Sequence, residues 1–568
     1  LKALHSIGLA ALRLPRRALP FVLLLALHLV PGQLDAQITA TLTGTVTGED
    51  GPLVSVTVSL LDGDSVRARV ETSVEGVYLI TGVLPGRYTL TATRIGLAPL
   101  TRLVTLPPGD STVVDLQLSP AAVVLEGVAV SGVASRERIR FEELAGVTVR
   151  ELTNDEVSMI PGVGEADPIR AIEVLPGVIS TSDFTSAFNV RGGSADQNLI
   201  LLDGIPIFSP FHLGGVFSVF NSDLIARAEL QSGGFTAEHG GRVSSVLLVE
   251  SDVGDGDFAV DAGVSVLSAR IAVQDGIGDG RFRWRVSARR SYFDQLLKPA
   301  FDFPYHLGDL QAVAELRTGE RSRLRFSAYT GEDVLDLANI DPEDFPLRIN
   351  WDWGNDLAGL NWRQDFDRGR FEVRASKTTF STGLRFPDFD DTDFRSKIDQ
   401  ISTGADLQLR VSPAVEISTG VSLDDMSYDN LATTGGTVFG EGAGEGTLTG
   451  AYAQLGWRQP GSWLVDLGVR LDHFAPNPGD GITEVSPRLA IKRFFADGTW
   501  AAKLALGRYT QFLHSLRDEE LPVGLDIWVL SGRRAPHVVS DQIQFGIEAL
   551  PTEMWTWSAE AYYRSFDG

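Results

Sequence analysis

The chain has 568 residues, with 59 glycines, no cysteine, 43% hydrophobic residues and a formal charge of −25. Disordered, collagen-like and disulfide-stapled classes fit that composition poorly, and metal or iron–sulfur sites built on thiolates are excluded. The acidic balance argues against nucleic acid as a partner, because phosphate contacts need clustered Lys and Arg.

Residues 1–36 read as an export signal. Lys2, Arg13, Arg16 and Arg17 form a basic region, Ala18–Val30 is a leucine-rich run, and Leu34-Asp35-Ala36 precedes a cut before Gln37. The run is shorter than the roughly 20 residues that span a bilayer as a helix. No later stretch reaches about 18 consecutive apolar residues, so an exported chain is either soluble or crosses a membrane as a barrel.

Residues 37–120 read as an all-β module of about seven short strands. Val54, Val56, Val58 and Leu60 alternate with Ser55, Thr57 and Ser59, and Tyr88, Leu90 and Ala92 resume the period of two. Turn signals stand at Glu49-Asp50-Gly51-Pro52, Leu61-Asp62-Gly63-Asp64 and Leu84-Pro85-Gly86-Arg87. The run from Glu75-Gly76-Val77-Tyr78 to Tyr88 resembles the carboxypeptidase regulatory-like domain, a transthyretin-like sandwich. No peptidase activity follows, since the module holds no histidine and no His-Glu-x-x-His pattern.

Residues 121–140 read as a linker, extended over Val123–Val130 and polar from Ser131 to Arg140. Leu125-Glu126-Gly127-Val128-Ala129-Val130 resembles a TonB box, a strand that adds to the sheet edge of an inner-membrane partner. A last strand of the preceding sandwich explains the same residues equally well.

Over 141–250 five motifs occur in order: Met159-Ile160-Pro161-Gly162, Val174-Leu175-Pro176-Gly177-Val178, Asn189-Val190-Arg191-Gly192-Gly193, Leu201-Leu202-Asp203-Gly204-Ile205-Pro206, and Gly233-Gly234-Phe235 to Gly240-Gly241-Arg242. Each alone is an ordinary turn signal. Together they closely resemble the plug domain of TonB-dependent receptors.

From residue 251 onward, long alternating strands predict a partial transmembrane β-barrel. Phe282, Trp284, Val286 and Ala288 point one way; Arg281, Arg283, Arg285, Ser287 and Arg289 point the other. Lipid on one side and a wet lumen on the other accommodate that pattern, which a soluble sandwich does not. It recurs at Leu324, Phe326 and Ala328, at Leu407, Leu409 and Val411, at Val465, Leu467, Val469 and Leu471, and at Ile543, Phe545, Ile547 and Ala549. Trp353, Trp362, Trp457, Trp463, Trp500, Trp555 and Tyr563 suggest interfacial girdles, and Glu332–Asp344 and Asp388–Asp393 suggest extracellular loops. Ser486-Pro487-Arg488-Leu489, Gly507–Gln511 and Ala559–Arg564 resemble barrel signatures of the same family. The residues after 250 would hold roughly 12 to 14 strands of about ten residues, whereas plugged barrels have about 22. The barrel is therefore expected to be unfinished, with the chain truncated at its C-terminus.

The fold class expected is mainly β: a sandwich, an α+β plug and an incomplete antiparallel barrel. No catalytic set, cofactor or metal site emerges, and the chain is read as a non-enzyme. Asp252, Asp255 and Asp257 faintly suggest a calcium loop but lack its closing glutamate, so a plug-to-barrel hinge is preferred. The acidic run from Asp388 to Asp393 reads as a soluble loop, or as a holder of bridging cations near lipopolysaccharide.

The resemblance implies that Arg191 and Arg242 meet glutamates on the barrel wall. Alternation puts Glu548 and Glu560 on the lumen face, so these four residues form a candidate plug–barrel latch. It further implies outer-membrane location and energised uptake of a scarce small ligand, such as a siderophore, cobalamin, glycan or peptide. The implied partners are a TonB-type inner-membrane energy-transducing complex, outer-membrane lipid and lipopolysaccharide, and a surface lipoprotein. The rival reading is a soluble secreted multi-β adhesin or carbohydrate-binding protein.

Overall fold

A computed structural model describes residues 39–119 and 136–568, apart from 49–50, 63–64, 95–96, 147–148, 161–164, 181–187, 213–214, 216, 266–267, 297–303, 339–347, 517–525 and 553–554. The export signal and Leu125–Val130 lie outside the described residues. So does Pro161-Gly162 of the first plug motif. Two compact units divide the chain between Val133 and Ala134.

The first unit is a sandwich of two sheets. In one, Ala40–Gly48 pairs with Gly51–Pro52, Val77–Val83, Ser111–Val113 and Leu116–Gln117. The other runs Ser65–Glu71, Thr57–Asp62, Gly86–Thr93, Leu100–Leu106. Alternation places Leu42 and Val46 from the first sheet against Val58, Leu60, Tyr88 and Leu90 from the second. Among the described residues the strands number nine rather than about seven, because Gly51–Pro52 and Leu116–Gln117 are two-residue pieces too short to show a period. Val54 does not join the alternation. Ser55 adopts a left-handed φ of 55°, which turns the chain before the strand starts at Thr57 and leaves Val54 exposed.

The second unit opens with the helix Arg136–Glu143, which straddles the boundary expected between polar linker and plug at residue 140. Its Phe141, together with Ala145, packs on Leu464, Ala490 and Phe494 of the wall, a partner that local composition does not reveal. A five-stranded sheet follows in the order Val149–Thr153, Ile225–Gln231, Ser245–Ser251, Asn198–Leu202, Ile205–Pro206, with the pair 198–202 and 245–251 parallel. Thr153 and Glu156 form a capping box on the helix Asn154–Met159, and Asp167 caps Pro168–Glu173, which begins on proline. The resulting core of Ile169, Ile172, Phe188, Val190, Leu202 and Leu247 includes Tyr329 and Leu357 from the wall.

That wall is one antiparallel sheet of fifteen strands from Ala259–Val264 to Trp555–Asp567. Each strand pairs with the next in sequence, except that the hairpin Leu513–Leu516 and Ile527–Leu530 intervenes between Trp500–Gln511 and Val538–Thr552. The count exceeds the predicted 12 to 14 because most connections are tight turns, as at 320–321, 367–368 and 413–414. Those turns share one end with 278–281, 460–462 and 496–499, while 292–304, 337–349 and 512–537 lie at the other. In transmembrane barrels the short-turn end is periplasmic and the long-loop end extracellular.

The period of two sorts the wall residues as expected. Leu467, Val469, Phe545 and Ile547 are exposed on the outer surface, and Arg289, Arg470 and Arg488 are buried on the lumen side. Trp362, Trp457, Trp463, Trp500 and Trp555 are exposed near the short turns and form a girdle there. Tyr563 is exposed in mid-strand, where it pairs with Ile543. Trp353 is not part of the girdle: it faces the lumen, 3.9 Å from Trp351, and its indole N–H donates to the Phe211 carbonyl at 3.1 Å. Strands of up to 23 residues outreach the roughly 9–11 needed to cross a membrane, so this part of the wall projects above the apolar band. Glu332 lies within the strand Ser322–Asp336 rather than in a loop for the same reason.

Candidate functional site: contacts between plug and wall

Plug motifs reach the wall through turns that their glycines permit. Val190–Gly193 closes with Gly193 N–H donating to the Val190 carbonyl at 3.0 Å, and both central residues, Arg191 and Gly192, have positive φ. A left-handed conformation costs a side-chain-bearing residue about 1–2 kcal/mol, and here it aims Arg191 at the wall. Gly193 sits where a Cβ would collide with Ser244 Oγ. Asp203-Gly204 is a second turn of this kind. The Asp203 carboxylate accepts from Ser251 N at 2.9 Å and binds Arg325 (2.9 Å) and Ser327 (2.7 Å) of the wall.

Three of the four predicted latch residues come together. Arg191 Nη2 lies 2.5 Å from Glu560 Oε2, the other Glu560 oxygen is 2.5 Å from Lys503 Nζ, and Lys503 also meets Glu548 at 2.5 Å. Lys492 closes the row 2.7 Å from Glu548, over the ring of Phe141 at 4.4 Å. The contact is therefore an alternating chain, Arg–Glu–Lys–Glu–Lys, linking the plug to the wall. Asn189 and Val190 lead into it from the strand Phe188–Val190, and Arg564 donates to the carbonyls of Val190, Ser232 and Ser244. Lys492, Lys503 and Arg564 were not singled out from sequence, although alternation places Lys503 with Ala501 and Ala505 on the lumen face.

Arg242 does not join this cluster. The loop from Gly233 to Gly241 is pinned elsewhere: Arg488 donates to the Phe235 and Thr236 carbonyls, and Arg470 to Glu238 O at 2.9 Å. Gly240 allows this approach, since a Cβ there would run into the Arg470 guanidinium. Beyond Gly241 the chain carries Arg242 away from both glutamates and under the hairpin, 5.8 Å over the ring of Trp528. Burial pushes its pKa down to about 10, which leaves it charged at neutral pH.

A second ionic anchor, unmarked in the sequence, lies towards the long loops. His212 of the plug is buried with Nδ1 2.5 Å from Asp333 and Nε2 3.1 Å from Asp309, and Arg289 bridges Asp309 (2.6 Å) and Glu165 (3.2 Å). Burial disfavours the imidazolium, but the Asp333 and Asp309 carboxylates outweigh it and hold the His212 pKa above its ordinary value.

Along the wall from Ser322–Asp336 to Trp463–Asn477, between the contacts made by Arg325 and Arg470, plug and wall leave a cavity of about 790 Å3. Arginines outnumber carboxylates eight to six in its lining. In the acidic run Asp388 pairs with Arg348, Asp391 with Arg385, and Asp393 with Arg395. Asp252 likewise meets Arg285 at 2.6 Å, as suits a hinge into the first wall strand.

The carboxypeptidase regulatory-like domain profile matches residues 41–119, and that of the TonB-dependent receptor plug domain matches residues 144–245. No curated protein matches the chain. Solved structures of similar fold include a mutant ferric enterobactin receptor from Pseudomonas aeruginosa, with 13% identity, a TM-score of 0.56, and coverage of 74% of this chain and 71% of that one. A siderophore receptor from Acinetobacter baumannii shares 14% identity over 76% and 72% of the two chains, with a TM-score of 0.57. The alcaligin outer-membrane receptor from Bordetella pertussis shares 14% identity over 75% and 71%, with a TM-score of 0.57. The chain thus carries a TonB-dependent receptor plug domain, seated in the plugged-barrel fold of outer-membrane receptors and preceded in sequence by a carboxypeptidase regulatory-like domain.

Proposed function

We propose that this receptor carries a scarce small ligand across the outer membrane, driven by a TonB-type inner-membrane complex that engages Leu125–Val130. The observation that carries the reading is the alternating ion chain of Arg191, Glu560, Lys503, Glu548 and Lys492. Such a chain holds the plug while closed. Its net contribution is small once the charges are resolvated, so a pull on the plug can undo it. Exposed apolar residues on the outer face, such as Leu467 and Phe545, favour a lipid-facing wall over a soluble adhesin. Receptors for ferric enterobactin and for alcaligin share the fold, which supports a ligand of modest size. Deleting Leu125–Val130 is expected to abolish accumulation of the ligand while surface binding persists. Normal accumulation by the deletion strain would overturn the energised step.

A further inference from the structure

We propose that Arg493, Trp463 and Ser462 form a site on the outer surface of the wall for the phosphate headgroup of a phospholipid in the periplasmic leaflet. The site lies outside the lumen, and it rests on the lipid-facing character of the wall rather than on the uptake reading.

Three observations converge. The first is position. Arg493 pairs in register with Trp463, and the period of two sends both outward while Lys492 and Phe494 turn into the lumen and are buried. It stands two residues before the end of the strand Ile482–Phe495, beside Trp463 and diagonal to Trp500, and so belongs to the girdle at the short-turn end. Girdles of this kind sit at headgroup depth. Among the described strand positions that alternate outward in this half of the wall, Arg493 is the one lysine or arginine, where neighbouring strands carry Leu455, Trp457, Val465 and Leu504.

The second is the state of the guanidinium. It lies over the Trp463 ring, 4.6 Å from the centroid, and Nη1 donates to Ser462 Oγ at 2.8 Å. Ring and hydroxyl together fix the plane of the fork. Ser462 Oγ accepts this bond, which leaves its own proton to donate to a ligand oxygen. Among the described residues no carboxylate lies within 4.0 Å of Arg493, whereas exposed arginines towards the long loops are paired: Arg290 with Asp294, Arg385 with Asp391, Arg508 with Asp541. A planar fork without a counterion takes two phosphate oxygens at once.

The third is the surface around it. On the side away from Trp463 the register partner of Arg493 is Ala502, whose small side chain leaves that flank of the guanidinium open. Towards mid-membrane, Leu467, Leu506, Phe545 and Ile547 are exposed on the outer face. A phosphate held at Arg493 lays its acyl chains on this apolar surface, a contact that free phosphate lacks. An arginine that merely reached for water would favour no lipid over another.

The test uses the protein extracted in a neutral detergent and freed of lipid, with bound lipid counted by native mass spectrometry. Dimyristoylphosphatidylglycerol is expected to bind about tenfold more tightly than dimyristoylglycerol, which has the same chains and no phosphate, about the worth of one charge-assisted hydrogen bond. Arg493→Gln should bring the two lipids level, and Trp463→Leu should reduce the preference. Arg290→Gln, at the long-loop end, should leave it unchanged. Excess inorganic phosphate should not displace the lipid. Equal retention of the two lipids, a preference that survives Arg493→Gln, or displacement by inorganic phosphate overturns the proposal. Retention of neither lipid overturns it too and counts against a lipid-facing wall. Should Arg493→Gln fail to assemble, the lipid pair and the phosphate competition on the unaltered protein decide alone. None of these outcomes bears on energised uptake, which the Leu125–Val130 deletion tests separately.

Discussion

The plug meets the barrel wall in two contrasting ways. Against the strands Ile482–Phe495, Trp500–Gln511, Val538–Thr552 and Trp555–Asp567 it is held by alternating charges, with Arg564 gripping three of its backbone carbonyls. Along the strands from Ser322–Asp336 to Trp463–Asn477 it touches the wall at separate points, such as Arg325 and Arg470, with open space between them. Both faces are rich in ionisable groups, so charge content alone does not make a contact. What differs is arrangement: Arg, Glu, Lys, Glu, Lys close on one another across the boundary, whereas most arginines of the cavity pair with carboxylates of their own side, as Arg363 and Arg370 do with Asp365 and Arg374 with Asp406, and leave the space before them open. One face is built to hold, the other leaves room.

The sharpest way to break this comparison is at the latch. Arg191→Ala is expected to loosen the plug by up to about 3 kcal/mol, below the roughly 3–5 of a buried pair left uncompensated, because Lys503 still neutralises Glu560. Glu560→Gln in the same chain removes the stranded charge, so the double variant should lose less than the two single losses added. Labelling of a cysteine introduced into the plug reads the loosening. Strict additivity would show that Arg191 and Glu560 do not act together.

Protonation tests the second anchor. A pKa raised in the folded state means that the His212 contact contributes fully below the ordinary value of 6.5 and is lost as pH rises through the raised value. The groups that face it are Asp309, Asp333 and Tyr329, with Arg289, Glu165 and Tyr305 joined through the two aspartates. Hydrogen-exchange protection of Phe211–Phe220, corrected for intrinsic rates, should decline above neutral pH and stay flat in His212→Asn. Protection that instead falls on acidification would reverse the assignment.

Much of this was legible in the chain. Phe282 to Arg289 announces lipid on one side and water on the other, and Glu548 and Glu560 face inward by counting alone. Lys503 was equally legible between Ala501 and Ala505, but a lysine on a lumen face says little until two glutamates are placed beside it. Trp351 and Trp353 flank Asp352, which shares its outward face with Asp356. Outward carboxylates mark a stretch above the membrane, where a tryptophan belongs to the mouth rather than to a girdle. Arg242 and His212 were not legible in this way. The first depends on which wall strands pin its loop, and the partners of the second lie 97 and 121 residues away on separate strands. Period two fixes a residue's face; it does not say which loop from another domain will arrive there.

The smallest expected effect is the one that most sharpens the contrast. Arg323 lines the open cavity from the strand Ser322–Asp336, and no carboxylate lies within 4.0 Å of it among the described residues. Arg323→Gln keeps a polar side chain in a wet space, removes no ion pair and strands no partner, so plug retention should change by no more than about 0.5 kcal/mol. The same cysteine-labelling assay used for Arg191→Ala measures it. A loosening comparable to that of Arg191→Ala would mean that the open face also holds the plug, and the division into a holding face and an open one would fail. An unchanged result has content here because both residues are arginines on one plug–wall boundary, and they differ in whether a carboxylate stands opposite.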